Sequence, residues 1–206
     1  MPAPNPNPNP TPTPEPAPAP APAGDREARA LALLRELGAQ HLDHPGGTLL
    51  AHLERVREQL GAWGARPELR LAGLCHAFYG TDGFATALLP VGRRAELAAV
   101  IGAEAEEIVR LYAGCDRAAS LPTLAADAAT VAFRDRFTGL VHSPGLQARR
   151  NFAELTAANE LDIARIEPSF RAAHGPALLA LFTRLGGLLS EPARRDCRAV
   201  LGGAAP

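Results

Sequence analysis

The chain contains no lysine, few aromatic residues and only three cysteines. Its 206 residues include 21 basic side chains, all arginine, and 22 acidic ones, a formal net charge of −1 at pH 7. Without a basic excess, nucleic acid is not expected as the main partner. Cys75, Cys115 and Cys197 are too widely spaced for a disulfide framework or a CxxC zinc site. A reducing cytoplasm is therefore the expected location.

Long apolar runs are also missing. No segment approaches the roughly 20 apolar residues of a membrane span, and the N-terminus lacks the basic start and apolar stretch of a signal peptide. We therefore expect no membrane partner. A chain of 206 residues suits one domain, or one domain with a tail.

Proline dominates the N-terminus, where it occupies every even position from Pro2 to Pro22. Proline removes the backbone donor and fixes φ, which disfavours both helix and sheet. We expect residues 1–23 to form a disordered polyproline-II tail, with the folded domain spanning 24–206. The tail could be a ligand or tether for a partner. No aromatic or arginine residue accompanies the prolines as an anchor, which favours a simple solubilising extension.

The rest of the chain shows helical spacing almost throughout and no alternating β-branched run, which predicts an all-α bundle without strands. The first helix should end at Gly38. The second should run from an N-cap at Thr48 to Gly61, and the third from near Pro67 to Gly80. Further helices are expected over residues 92–100, 103–113, 122–138, 146–165 and 170–188, and a last one should begin at Ser190.

Histidines are the first candidate functional residues. His44 lies in a connector before a Pro-Gly-Gly turn, and His52 borders the apolar stripe of the second helix. His76 lies in the third helix on the face of Tyr79, so antiparallel packing would direct His52 and His76 into one cavity. Neutral imidazoles bind zinc, iron or manganese. The alternative is that each is a half-buried, hydrogen-bonded histidine with no ligand.

A tight turn follows His76 and carries further polar groups. Asp82 could ligate a metal or accept a proton, or could simply make an Asx turn. The Tyr79 hydroxyl could enter the same cavity, or could be structural. Arg93 could hold a substrate phosphate or carboxylate, or could be solvated. The sequence does not rank Asp116, Asp127 and Asp135 as further carboxylate donors.

Two histidine segments resemble the HD superfamily. His52 and His76, the latter after Leu-Ala-Gly-Leu, are similar to the core of the hydrolase domain of stringent-response nucleotide enzymes. More narrowly, residues 44–52 and 76–84 resemble an uncharacterised bacterial HD-like family with an H-x-x-Y-G-T-[DE] motif. The resemblance covers roughly residues 30–165. It implies an all-α fold and a metal held by His, a His-Asp pair and a late Asp.

The chain departs from this pattern at two anionic positions. Ala77 replaces the Asp of the His-Asp pair, and Asn159 stands where the late Asp is expected. A divalent Mn, Fe or Zn ion would then depend on His52 and His76, completed by His44 or Asp82. The acidic turn of the stringent-response hydrolases is Gly80-Thr81 here, which argues against that particular activity.

Three functions follow from the resemblance. The first is metal-dependent hydrolysis of a small polar metabolite, including phosphorylated ones, with Tyr79 and Arg93 orienting the substrate. The second is iron-dependent oxygenation of a small molecule. The third is a degenerate HD-like protein that binds a ligand or partner without catalysis, which the loss of the aspartates favours. The sequence leaves the oligomeric state open.

Overall fold

Helices make up most of the structure, a computed structural model that describes residues 23–125 and 129–203. Its first five α-helices are α1 (Ala23–Glu36), α2 (Leu49–Ala62), α3 (Pro67–Cys75), α4 (Arg94–Ile101) and α5 (Ala103–Gly114). The remaining four are α6 (Arg117–Ser120), α7 (Leu146–Ile166), α8 (Pro168–Arg184) and α9 (Glu191–Leu201). Short 3₁₀ turns lie at Ala39–His41 and Val91–Arg93. The prediction of a mainly helical fold is confirmed.

Several helix boundaries agree with the predicted capping residues. The Thr48 hydroxyl accepts a hydrogen bond from the Ala51 N–H and caps α2, and Ser190 caps α9 in the same way. Such a side-chain cap satisfies one of the donors that the first helical turn leaves free. Pro67 occupies the first turn of α3, where its missing N–H costs nothing.

Helix α7 lies at the centre of the molecule and packs against α2, α5, α8 and α9. Helix α2 also packs closely on α3. A Cβ at Gly73 would lie 2.5 Å from Leu60 Cδ1, so a larger residue there would force the Leu60 side chain to move. The core is made of leucine and alanine with a few aromatic rings, among them Phe78, Phe133 and Phe152. Helix α7 nevertheless buries polar residues too, and one of them, Asp162, contacts His52 of α2.

The third helix is shorter than predicted. It ends at Cys75, and His76 is its C-cap residue rather than an interior one. The following residues form tight turns up to Gly80, where φ is +66° and a Cβ would come within 3.0 Å of the Ala85 carbonyl oxygen. Helical spacing of the apolar residues continues to Tyr79, but the backbone leaves the helix one turn earlier to enter this turn.

The prediction of a helix over residues 122–138 is wrong, as is the absence of strands. Phe133–Arg134 (β3) pairs with Val141–His142 (β4), and Asp43–His44 (β1) pairs with Gly47–Thr48 (β2), both antiparallel. Residues 131–134 alternate between inward and outward positions, since Val131 and Phe133 are buried. The Asp135 carboxylate accepts the Phe137 N–H, which stabilises the reversal between β3 and β4 instead of a helix.

One prediction concerns residues at the limit of the described structure, and another concerns the described helices themselves. The predicted proline-rich tail (residues 1–23) lies outside the described residues as far as position 22, and α1 begins at Ala23. None of the described helices has the length and apolar character needed to cross a bilayer.

Candidate functional site

Three histidines from different parts of the chain meet beside α7. His44 comes from β1, His52 from the first turn of α2, and His76 from the C-terminus of α3. The rings of His44 and His52 stack with centroids 3.9 Å apart, and those of His52 and His76 meet edge to face at 5.3 Å. His52 is fully buried and His76 is 2% exposed. The structure therefore brings His52 and His76 together, as antiparallel packing of their helices predicts, and places His44 beside them.

The hydrogen bonds of His52 and His76 fix which ring nitrogen carries the proton. His52 Nδ1 lies 2.7 Å from Asp162 Oδ2, and His76 Nδ1 lies 2.8 Å from the Gly73 carbonyl oxygen. Both partners are acceptors, so Nδ1 donates in each case. In the neutral form of each ring, Nε2 then carries a free lone pair.

The second nitrogen of His52 faces Asn159. His52 Nε2 lies 3.1 Å from Asn159 Oδ1, while the Asn159 amide NH₂ donates to Glu160 Oε1 at 3.2 Å. The bond to Glu160 accounts for the orientation of the amide, with its oxygen toward the histidine. Two acceptor atoms therefore face each other in a partly buried position whenever His52 is neutral, which is unfavourable unless a cation lies between them.

Asp162 is held by two basic groups. In addition to His52, Arg55 donates to its two carboxylate oxygens at 2.7 and 2.9 Å. Burial opposes ionisation of Asp162, but the hydrogen bonds from His52 and Arg55 outweigh it and lower the pKa of the carboxyl group. An ionised Asp162 keeps Nδ1 of His52 protonated and the ring fixed in orientation, as carboxylates beside metal-binding or catalytic histidines do.

The other two histidines are held neutral at physiological pH. Burial and the neighbouring His52 lower the pKa of His76 to about 3, against a weaker opposing effect of the Gly73 carbonyl. The same two causes lower the pKa of His44 to about 4, and the Pro45 carbonyl and Asp162 act in the opposite direction. Neutral imidazole is the form that binds metal ions.

A cavity of about 250 Å³ opens in front of the cluster. His44, His76 and Asn159 line it together with Glu160 and Arg117. Its apolar wall consists of Leu49, Ala77, Phe84, Ile163 and Phe170. We call this space the histidine cavity. It combines a few polar groups with a mostly apolar wall, which is the usual composition of a small-molecule site.

Arg117 and Glu160 form an ion pair at one side of this cavity. Arg117 Nη1 donates to Glu160 Oε1 at 2.8 Å, and Nη2 donates to the Tyr112 hydroxyl at 2.9 Å. The Tyr112 ring in turn meets His76 edge to face at 5.4 Å. Glu160 is the only carboxylate among the described residues that line the cavity, so it is the candidate proton acceptor there.

Asp82 is not placed as a ligand beside the histidines. Its carboxylate accepts the backbone N–H of Arg117 at 3.0 Å and is exposed to solvent. It therefore ties the turn after α3 to the start of α6. This bond fixes the position of Arg117, and Asp82 contributes to the site through that arginine.

For Tyr79 and Arg93 the structure shows the structural and solvated alternatives, and neither residue lines the histidine cavity. The buried Tyr79 hydroxyl donates to Glu106 at 2.9 Å, and Arg94 pairs with the same carboxylate. Arg93 is exposed and pairs with Glu96 at 2.5 Å. Tyr79 points away from the cavity because the chain has already left the helix at Cys75, which changes the face on which its side chain lies.

The other carboxylates named from the sequence have structural contacts. Asp116 caps α6 through the Ala119 N–H, and Asp135 pairs with Arg110 at 2.6 Å. Asp127 lies outside the described residues. All three cysteines are buried, and burial raises the pKa of the Cys115 thiol to about 12. These thiols are therefore not poised as nucleophiles.

Within the described part of the chain, no three His, Cys, Asp or Glu side chains are positioned to hold one metal ion together. Stacking explains why three adjacent histidines do not meet this condition. The lone pairs of two nearly parallel rings run side by side, so His44 and His52 do not aim at one point. His52, His76 and the amide oxygen of Asn159 remain as candidate donors.

Sequence reasoning missed Asp162, Arg55 and Glu160. A signal for the first two exists, because residues three apart on a helix share a face. His52 and Arg55 are so spaced on α2, and Asn159 and Asp162 on α7. Two such polar pairs, both within apolar stripes, indicate that the two helices meet through polar contacts.

Comparison with known families adds one similarity. The family described as Domain of unknown function (DUF6817) matches residues 33–117. The matched segment contains His44, His52 and His76 and ends at Arg117. Asn159, Glu160 and Asp162 lie beyond it. Neither the curated proteins nor the solved structures include a match to this chain.

Proposed function

We propose that this chain is a divergent HD-like protein that binds a divalent metal ion at His52, His76 and Asn159 and hydrolyses a small polar metabolite. The single observation that carries the proposal is the contact between His52 Nε2 and Asn159 Oδ1 at 3.1 Å. Asn159 is also the position at which the HD resemblance calls for the late acidic ligand. An amide oxygen can coordinate the same hard or borderline cations as a carboxylate, with lower affinity.

The spacing of the two imidazole rings supports their binding to one metal ion. Two imidazoles bound to one ion through nitrogens at about 2.1 Å have ring centres about 5 Å apart. The His52 and His76 rings are separated by 5.3 Å. Both rings also have Nδ1 engaged by an acceptor, which leaves Nε2 for the metal and is the usual support of metal-binding histidines. The ring spacing and the engaged Nδ1 atoms therefore support binding of one divalent ion by His52 and His76.

A divalent ion held there would supply Lewis acidity and lower the pKa of water for attack on a phosphate ester. The side chains have separate tasks. Asp162 holds the His52 ring in position and keeps Nδ1 protonated. Glu160 faces the cavity, where it can take a proton from water. Arg117, bonded to Glu160 and Tyr112, can stabilise negative charge that develops on the substrate.

The proposal is tested by elemental analysis of protein purified without a histidine tag and supplied with manganese, iron and zinc. We expect close to one metal ion per chain in wild type and its loss in the His52→Ala/His76→Ala variant. The matched control is His142→Ala/His174→Ala, which removes two exposed histidines and should keep the metal. Wild-type protein that takes up no metal would refute the proposal.

Two substitutions at Asn159 refine this test. Asn159→Asp adds the missing negative charge next to His52 and should raise the metal affinity, whereas Asn159→Ala should lower it. Circular dichroism of each variant checks the fold. If both variants bind metal as wild type does, Asn159 is not a ligand. Zinc or manganese with phosphatase activity supports hydrolysis, and iron with a redox-active optical spectrum supports an oxygenase instead.

A second candidate is a non-catalytic ligand-binding protein. The stacked arrangement of His44 on His52 favours it, because only two of the three histidines are then available to one ion. In that case the neutral His76 and the paired Arg117 would contact the ligand directly. Metal-free wild-type protein that still binds small polar molecules would support this candidate.

A further inference from the structure

A second space adjoins the histidine cavity. It measures about 260 Å³ and lies between α6, α7 and α8. Arg117, Glu160 and Phe170 line both spaces, so the two spaces are adjacent. We call the second space the α8 slot. Its further lining residues are Leu121, Thr156, His174, Ala177, Leu178 and Leu181.

The α8 slot offers hydrocarbon contacts and few free hydrogen-bonding groups. The Thr156 hydroxyl donates to the Phe152 carbonyl oxygen at 2.7 Å, so it is engaged within its own helix. Arg117 and Glu160 are paired with each other. His174, which packs on the Phe170 ring at 4.7 Å, is the polar residue at the exposed side. A polar ligand would gain little in such a slot, while an alkyl chain would bury apolar surface.

The α8 residues that form the slot lie on one face of the helix. Phe170, His174, Leu178 and Leu181 follow a spacing of three or four residues. Leu178 and Leu181 remain partly exposed although they pack against the core. Leu179, the next residue, is also partly exposed but lines a different depression on the other side of α8. The helix therefore provides both a test position and a matched control.

We infer that the ligand of this protein is an amphiphile, with a compact polar head in the histidine cavity and an unbranched hydrocarbon chain in the α8 slot. The identification of this ligand as the substrate rests on the proposed function, and it narrows the polar substrate to one whose polar head carries a hydrocarbon chain. Binding of the ligand does not require a metal. The head would meet His76, Asn159 and Arg117, and the chain would pass Phe170 toward Leu178. A purely polar metabolite would leave the slot unused.

Calorimetric titration with n-alkyl phosphates from butyl to decyl tests this inference, at concentrations below micelle formation and with a chelator present. We expect affinity to rise about fourfold per added methylene until the slot is filled, the change that burial of one CH₂ gives. Leu178→Gln should weaken decyl phosphate about tenfold and leave butyl phosphate almost unchanged. Leu179→Gln should change neither.

A conservative variant separates loss of the slot from loss of the fold. Leu178→Met keeps the apolar character and should retain the dependence on chain length. Equal affinities along the whole series, or equal weakening by the two glutamine variants, would overturn the inference.

The outcome of the alkyl phosphate titration does not depend on the outcome of the elemental analysis for metals. Dependence on chain length without metal uptake would keep the ligand class and remove the hydrolase. Metal uptake without dependence on chain length would keep the hydrolase and remove the amphiphile.

Discussion

Acidification should destabilise this protein through its buried histidines. His76 has a pKa of about 3 in the folded protein and His44 one of about 4, both below the ordinary value of 6.5. Because the pKa is lower in the folded state, the unfolded chain binds protons at pH values where the folded chain does not. The stabilisation from the neutral rings is therefore complete well above pH 6.5 and is lost progressively as the pH falls toward the folded values.

The size of this loss of stability follows from the difference between the folded and the ordinary pKa values of His76 and His44. Between pH 7 and pH 5, protonation of His76 in the unfolded chain alone costs about 2 kcal/mol of unfolding free energy. His44 is less deeply buried, so solvent reduces its share to about 1 kcal/mol. Urea denaturation at the two pH values, with a chelator present to exclude metal, should show a loss of about 3 kcal/mol in wild type.

A single substitution identifies the source of this pH dependence. His76→Gln should reduce the loss between pH 7 and pH 5 by about 2 kcal/mol, whatever its effect on stability at pH 7. His174→Gln removes an exposed histidine and should leave the full loss in place. If His76→Gln and wild type lose the same free energy, His76 is not held neutral by its surroundings and the reasoning is wrong.

Two further substitutions test the support of the site by urea denaturation at pH 7. Asp162→Ala should lower the unfolding free energy by about 3 kcal/mol, because it leaves His52 and Arg55 without their shared carboxylate. The exposed pair of Asp25 with Arg29 is the control, and Asp25→Ala should change the unfolding free energy by less than about 0.5 kcal/mol. Gly80→Ala should cost about 1–3 kcal/mol, since alanine is strained at a φ of +66°; an unchanged free energy would show that this turn adapts.

Local sequence signals predicted most of the helices but not all of their ends. Thr48 and Ser190 cap the helices that they were expected to cap, because an N-cap depends on a contact within one helical turn. The end of α3 at Cys75 depends instead on the turn around Gly80. The β3–β4 hairpin was missed because its strands are only two residues long, and its stability comes from the side chain of Asp135 and the buried Phe133.

The candidate site likewise contains contacts that the local sequence predicts and contacts that it does not. The convergence of His52 and His76 could be predicted, since both lie on consecutive helices that pack against each other. Asp162 follows His52 by 110 positions, and nothing in the local pattern joins them. Tyr79 was predicted at the cavity because helical spacing was extended past the actual end of α3. Contacts between distant segments, here α2 with α7, decide which polar groups meet.

The charges around the histidine cavity indicate how metal and ligand should depend on each other. Each of the two carboxylates nearest the cluster is matched by an arginine, Asp162 by Arg55 and Glu160 by Arg117. A divalent cation among neutral histidines would therefore bring charge that the described side chains do not balance. An anionic ligand would supply that balance, so metal and ligand should each strengthen the binding of the other by the same factor.

Titration with manganese in the presence and absence of methyl phosphate measures this coupling. We expect about tenfold tighter manganese binding when methyl phosphate is present, which lies within the usual range for coupled sites. Asn159→Asp should reduce the coupling, because its carboxylate supplies part of the missing negative charge in advance. Manganese affinity that is equal with and without methyl phosphate would show that the charge is balanced by other means, and that the anion and the metal do not share this cavity.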